Sequence, residues 1–116
     1  GGCCLLIANP RDIPGFIKTL QGARFTMICG VNTLYNALLN APGIEAVNFS
    51  NLQFAVAGGM AMQGPVAKRW KERTGKPIIE GYGLSETSPI ATVNPLTLDE
   101  FSGTIGYPVP STEVKI

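Results

Sequence analysis

Pro77-Ile-Ile-Glu-Gly-Tyr-Gly-Leu-Ser-Glu-Thr-Ser88 is a short apolar run that passes straight into a polar loop bracketed by glycines. The run over 77–80 is too short for a helix and is bounded by turn formers, which predicts a buried strand. Gly81 and Gly83 flank Tyr82 and let the backbone turn sharply. A hydroxyl, Ser85, then stands directly beside a carboxylate, Glu86. A flat aromatic face can stack on a purine, and a hydroxyl with a carboxylate can bind phosphate oxygens and their Mg²⁺. The segment reads as a nucleotide-handling loop at the end of a strand.

Working outward, the same rhythm repeats upstream. Gln53-Phe-Ala-Val-Ala57 predicts a strand that ends in Gly58-Gly59, followed by a helix from about Pro65 with Val66 and Trp70 on its apolar side and Gly75 as its cap. Phe25-Thr-Met-Ile-Cys29 predicts another strand, Gly30-Val-Asn-Thr33 its exit loop, and Leu34 and Leu38 one face of a helix stopped by Pro42-Gly43. Cys3-Cys-Leu-Leu-Ile-Ala8 predicts a first strand, and Ile13, Phe16, Ile17 and Leu20 a helix begun by Asp12 and Pro14. Alternation of this kind implies an α/β fold, a parallel sheet of four strands with helices on both faces. The division expected is an α/β unit over 1–93 and, over 94–116, a turn-rich loop with the first strand of a β-rich subdomain. In that last part Thr112, Val114 and Ile116 alternate with Glu113 and Lys115, a strand pattern that the chain leaves unfinished.

Composition bounds the function. The chain has 116 residues, 45% hydrophobic but only 15% charged, against an ordinary charged fraction of ~25%. So little charge covers a free surface poorly and suits a segment of a larger protein. The net charge of +1 gives no electrostatic case for nucleic acid or an anionic membrane. With no histidine, Ser–His–Asp and Cys–His catalysis and His-ligated metals are excluded within this segment. Cys3, Cys4 and Cys29 match neither a disulfide framework nor a zinc spacing and read as buried thiols in a reducing cytoplasm. No apolar run approaches the ~18 residues of a membrane span, and no signal peptide opens the chain.

Ligands of open parallel sheets bind beyond the carboxyl ends of the strands. Three loops are expected there: Gly30–Thr33, Gly58–Met60 and Gly81–Glu86. Each alone could be a plain turn, Tyr82 could be a core aromatic, and Glu86 could be a helix N-terminal acid. Lys68, Arg69, Lys71, Arg73 and Lys76 lie on the polar side of an amphipathic helix, a solvated face rather than a nucleic-acid surface. No Walker-type loop and no Gly-x-Gly-x-x-Gly is present, so the main phosphate cradle is not in this segment.

Glu80-Gly-Tyr-Gly-Leu-Ser-Glu-Thr87 resembles the Tyr-Gly-x-Thr/Ser-Glu motif of adenylate-forming enzymes, and Ala57-Gly-Gly-Met60 resembles their Gly-Gly-Ala motif. Within that group, Asn9-Pro-Arg-Asp-Ile-Pro14, Gly30-Val-Asn-Thr-Leu-Tyr-Asn-Ala-Leu38 and Gly106-Tyr-Pro-Val-Pro-Ser-Thr-Glu-Val-Lys-Ile116 are similar to bacterial long-chain-fatty-acid–CoA ligases. The resemblance covers essentially the whole chain and implies part of the large N-terminal domain of such an enzyme. It implies a reaction in which a fatty acid and ATP give an acyl-adenylate, from which coenzyme A displaces AMP. Carried over by position, Gly58, Gly59 and Met60 would border adenine and the acyl carboxylate, and Gly81, Tyr82 and Gly83 would form the adenine loop, with Tyr82 stacked on the base. Ser85 and Glu86 would bind phosphates and Mg²⁺ as the catalytic pair, and Gly30 and Val31 would sit near the acyl pocket.

Two departures from the pattern, Ser85 for Thr and Met60 for Ala, preserve the hydroxyl and the backbone contacts. The phosphate loop, ribose-binding Asp, hinge and catalytic Lys of the family would lie before Gly1 and after Ile116, so the segment is expected to be inactive alone. Its partners would be the rest of the parent chain and the small-molecule substrates. The parent is expected in the cytoplasm without a transmembrane segment, with peripheral contact at the inner membrane and a homodimer left open. An aryl- or medium-chain acyl-CoA synthetase and a non-catalytic nucleotide- or acyl-binding module are the alternatives.

Overall fold

A computed structural model describes residues 2–116. The elements in order are α1 (Ile13–Gly22), β1 (Met27–Gly30), α2 (Asn32–Asn40), a 3-10 turn (Ile44–Ala46), β2 (Phe54–Ala57), α3 (Gly64–Thr74), β3 (Ile78–Gly83), a second 3-10 turn (Ser85–Thr87), β4 (Ile90–Val93) and β5 (Tyr107–Pro108). The local signals act as expected. Asp12 caps α1 by accepting the Gly15 amide at 3.1 Å, and Phe16, Ile17 and Leu20 are its buried face. Helix α3 begins at Gly64-Pro65, buries Val66, Ala67 and Trp70, and ends at Gly75. In α2 the buried positions are Asn32, Tyr35 and Leu38, with Leu34 only half-buried beside them.

Among the described residues the sheet has five strands in the order β1-β2-β3-β4-β5. The first three are parallel, with Ile28 beside Ala55 and Ala55 beside Ile78. Strands β4 and β5 continue the sheet antiparallel, so the α/β reading holds while the sheet is mixed. The first of the four expected parallel strands, over residues 3–8, is absent among the described residues. Residues 3–8 form no strand and have no ladder partner among the described residues, Leu5 and Leu6 are exposed, and only Ile7 packs against the core. Residues 112–116 likewise join no strand among the described residues and are exposed. An alternating pattern makes a strand only where a neighbour supplies hydrogen bonds.

Helices on both faces is also corrected for the described residues. Ile28, Ala55, Ala57 and Ile78 share a face, and that face carries one cluster with Phe16, Ile17 and Leu20 of α1, Tyr35 and Leu38 of α2, and Val66 and Trp70 of α3. The reason is topological. Right-handed crossovers that step twice in the same direction along a sheet lay both connecting helices on the same side. The other face leaves Met27 and Cys29 exposed and Phe54 and Val56 half-buried. The cysteines correct accordingly: Cys3, Cys4 and Cys29 are all exposed, two outside any strand and one on the uncovered face.

Aromatic edges lock the covered side. Tyr35 meets Trp70 at 4.7 Å between centroids, and Phe49 meets both Trp70, at 5.5 Å, and Phe25, at 5.8 Å, all in T-shaped pairs. Beyond β4 the chain folds back. Asn94 donates to the carbonyls of Glu80 and Thr104, Thr92 Oγ1 donates to the Ile105 carbonyl, and Lys71 of α3 pairs with Glu100. No helix among the described residues is long and apolar enough to cross a membrane.

Candidate functional site

The carboxyl ends of β1, β2 and β3 lie side by side, and their loops meet there. Gly30 and Ala57 are paired across one ladder and Ala57 and Glu80 across the next. The Gly58 amide donates to the Gly30 carbonyl at 3.3 Å. A Cβ built on Gly58 would sit 3.4 Å from the Gly81 carbonyl oxygen, and one on Gly59 would sit 3.5 Å from Val31 Cγ1. The structure therefore brings Gly30, Val31, Gly58, Gly59 and Gly81 into one ridge. Gly59 has φ 79°, a left-handed conformation that side chains rarely adopt.

Three apolar residues of these loops are exposed: Val31 at 38%, Met60 at 50% and Tyr82 at 46%. Tyr82 is paired with Thr92 on β4, and the ladder shifts register between Tyr82 and Gly83. That irregularity draws the strands together, so a Cβ on Gly83 would run into the Pro89 carbonyl. Tyr82 is thus an exposed aromatic on a strand edge and not part of the core. The core reading of this residue is removed.

Ser85 and Glu86 lie in the following 3-10 turn, exposed, and their side chains make no hydrogen bond to the glycine ridge among the described residues. What shapes that turn is Thr87, a residue the sequence reading passed over. Its Oγ1 accepts the Leu84 amide at 2.8 Å and donates to the Pro89 carbonyl at 2.7 Å. A hydroxyl three residues after the turn's first amide is the signal that could have found it.

Two further residues were missed. Glu80, which ends the apolar part of β3, is buried and accepts the Met62 amide on Oε1 at 2.9 Å, while its Oε2 has no partner. Asn32, the first residue of α2, is buried and accepts the Gln63 amide on Oδ1 at 3.0 Å. A polar residue at the junction of an apolar strand and a loop is the cue in both cases.

Among the described residues no group of three or more His, Cys, Asp and Glu side chains could hold a metal ion. Mg²⁺ bound through nucleotide phosphates commonly takes only one or two carboxylates from the protein. Exposed Glu86, with the Ser85 hydroxyl beside it, fits that share and no more. A cavity of about 450 Å³ lies elsewhere, between α3 and Phe101, lined by Ala67, Lys68 and Lys71. The glycine ridge lines neither this cavity nor a smaller one beside Leu96 and Leu98.

The chain is 54% identical over 116 residues to the long-chain-fatty-acid–CoA ligase of Yersinia pestis, covering all of this chain and 21% of that one. It is 53% identical over the same span to the enzyme of that name from Escherichia coli O157:H7, again 21% of the relative. Among solved structures, the anthranilate CoA ligase AuaEII in complex with anthranoyl-AMP superposes with a TM-score of 0.82 at 28% identity, covering 94% of this chain and 21% of that one. The chain thus spans about a fifth of the length of the curated relatives it matches. The sequence pattern of the family described as AMP-binding enzyme matches residues 1–116, and the chain belongs to that family.

Proposed function

We propose that this chain is an internal segment of a long-chain-fatty-acid–CoA ligase and forms one wall of its adenylation site. The observation that carries the reading is the convergence of Gly30-Val31, Gly58-Gly59 and Gly81 at the strand ends, with Tyr82 and Met60 exposed in the same loops. The 54% identity to the Yersinia pestis ligase over the whole chain supports the long-chain substrate, against 28% for the anthranilate ligase. In the reaction a fatty carboxylate attacks the α-phosphorus of ATP, the bond to pyrophosphate breaks, and an acyl-adenylate forms. The thiol sulfur of coenzyme A then attacks the acyl carbon and AMP leaves.

In this reading Tyr82 presents its ring to adenine, Gly58 and Gly59 allow the base and the reacting carboxylate to lie against bare backbone, and Val31 borders the acyl group. The Ser85 hydroxyl and the Glu86 carboxylate face the phosphates, and Glu86 would hold Mg²⁺, which supplies positive charge to the phosphate oxygens when bound. We divide the parent at residue 94, with the antiparallel β4–β5 pairing supporting a β-rich continuation beyond it. The segment alone should not turn over.

The test is ATP–pyrophosphate exchange by the full-length parent with a fatty acid of about 16 carbons, an eight-carbon acid and benzoate. Exchange led by the longest acid is expected, and a preference for benzoate would overturn the substrate class. Tyr82→Ala should weaken ATP by the ~1–3 kcal/mol of a base–aromatic stack. Unchanged ATP affinity in that variant would take Tyr82 out of the adenine pocket.

A further inference from the structure

The segment from Gly58 to Gln63 joins β2 to α3 without regular secondary structure, yet it carries the central part of the ridge. Its first residue is tied to β1 through the Gly58 amide. Its last two residues are tied by side chains from two other elements. Glu80 of β3 takes the Met62 amide and Asn32 of α2 takes the Gln63 amide. Both acceptors are more than nine-tenths buried, and the Met62 side chain is itself in the core. Between the ties, Met60 and Ala61 are exposed.

The positions of the two acceptors matter. Asn32 immediately follows Val31, and Glu80 stands two residues before Tyr82 on the same face of β3. The segment is therefore strapped to the acyl-side wall by one bond and to the adenine-side wall by the other.

We propose that Glu80 and Asn32 are positioning residues that strap the 58–63 segment in place and so set the affinity of the site for ATP. This deepens the ligase reading and rests on it. Neither residue needs to touch a substrate; each acts through the backbone of Met62 or Gln63. A wall residue held this way acts by pre-organisation, because a segment already in its bound conformation loses little freedom when the nucleotide arrives.

The experiment uses the full-length parent and four variants: Glu80→Ala, Glu80→Gln, Asn32→Ala and Asn32→Asp. The alanine variants should raise the KM for ATP about tenfold or more, with kcat at saturating ATP within about threefold of wild type. The two conservative variants keep an acceptor oxygen and should restore KM to within about threefold. Amide hydrogen exchange, which needs no turnover, should show residues 58–63 losing protection in the alanine variants while α3 keeps its own. A lower melting temperature with unchanged KM would overturn the proposal, as would Glu80→Gln being as impaired as Glu80→Ala. Failure of wild-type enzyme to exchange pyrophosphate would remove the ligase reading instead, and amide protection would still decide whether the strap exists.

Discussion

Tyr35 joins the sheet to its helices through a single hydroxyl. Its ring is fully buried against Trp70, and its oxygen lies 3.1 Å from the Ile28 carbonyl and 2.8 Å from that of Val56. Burial pushes the phenol well above its usual value of 10.0, and Cys29 adds to the rise. A phenol that holds its proton more tightly when folded adds stability that is complete below pH 10.0. That stability is lost as the pH climbs above this value, because only the unfolded chain then ionises. Tyr35→Phe should cost about 1 kcal/mol at neutral pH through the lost hydrogen bonds. The gap between wild type and variant should shrink above pH 10.0, measured as urea midpoints across the alkaline range. Parallel curves would mean that Tyr35 ionises freely in the folded state. Partial desolvation likewise pushes the Cys29 thiol up, so this exposed cysteine is a weaker nucleophile than an ordinary one.

At the scale of elements, the passage from β3 to β4 is tightly packed. The ladder slips between Tyr82 and Gly83, and Gly83 packs directly against the Pro89 backbone. Gly83→Ala must push two strands apart and should destabilise the protein by roughly 2 kcal/mol or more, within the range of severe backbone and packing lesions. Gly64 makes the contrast. It opens α3, and a Cβ there meets nothing within 4 Å. Gly64→Ala should be neutral or stabilising by up to about 1 kcal/mol, since alanine restricts the unfolded chain. Thermal melts of the two variants side by side check this, and a benign Gly83→Ala would refute the close approach. The elements themselves were legible in the sequence wherever a local signal had a local cause: Asp12 and Pro14 for α1, Pro42-Gly43 after α2, Gly75 after α3. The same reading failed for residues 3–8, whose apolar character predicted a strand that finds no ladder partner among the described residues.

For the whole molecule, the covered and uncovered faces of the sheet are the main fact. All three helices of the described residues pack on one side, while on the other face Met27 and Cys29 are exposed, Phe54 and Val56 half-buried and Ile79 buried. The chain matches about a fifth of the length of its curated relatives. Calorimetry on the 116 residues alone should therefore show no micromolar ATP binding, and an apolar dye should bind the open face. Micromolar ATP binding would instead favour a self-sufficient nucleotide-binding module. The sequence by itself determined the family, the strand–helix alternation over residues 25–83, and the three glycine loops at the strand ends. Those features depend on residue type and local spacing. Only the tertiary structure decided that the helices share one face, that Cys3, Cys4 and Cys29 are exposed, and that Tyr82 is a surface aromatic. It alone revealed the strap, whose bonds join residues 18 and 31 positions apart. Local pattern reports which residues tend to be buried or bent. Which face is covered, and which amide meets which carboxylate, depends on long-range packing that no window of sequence contains.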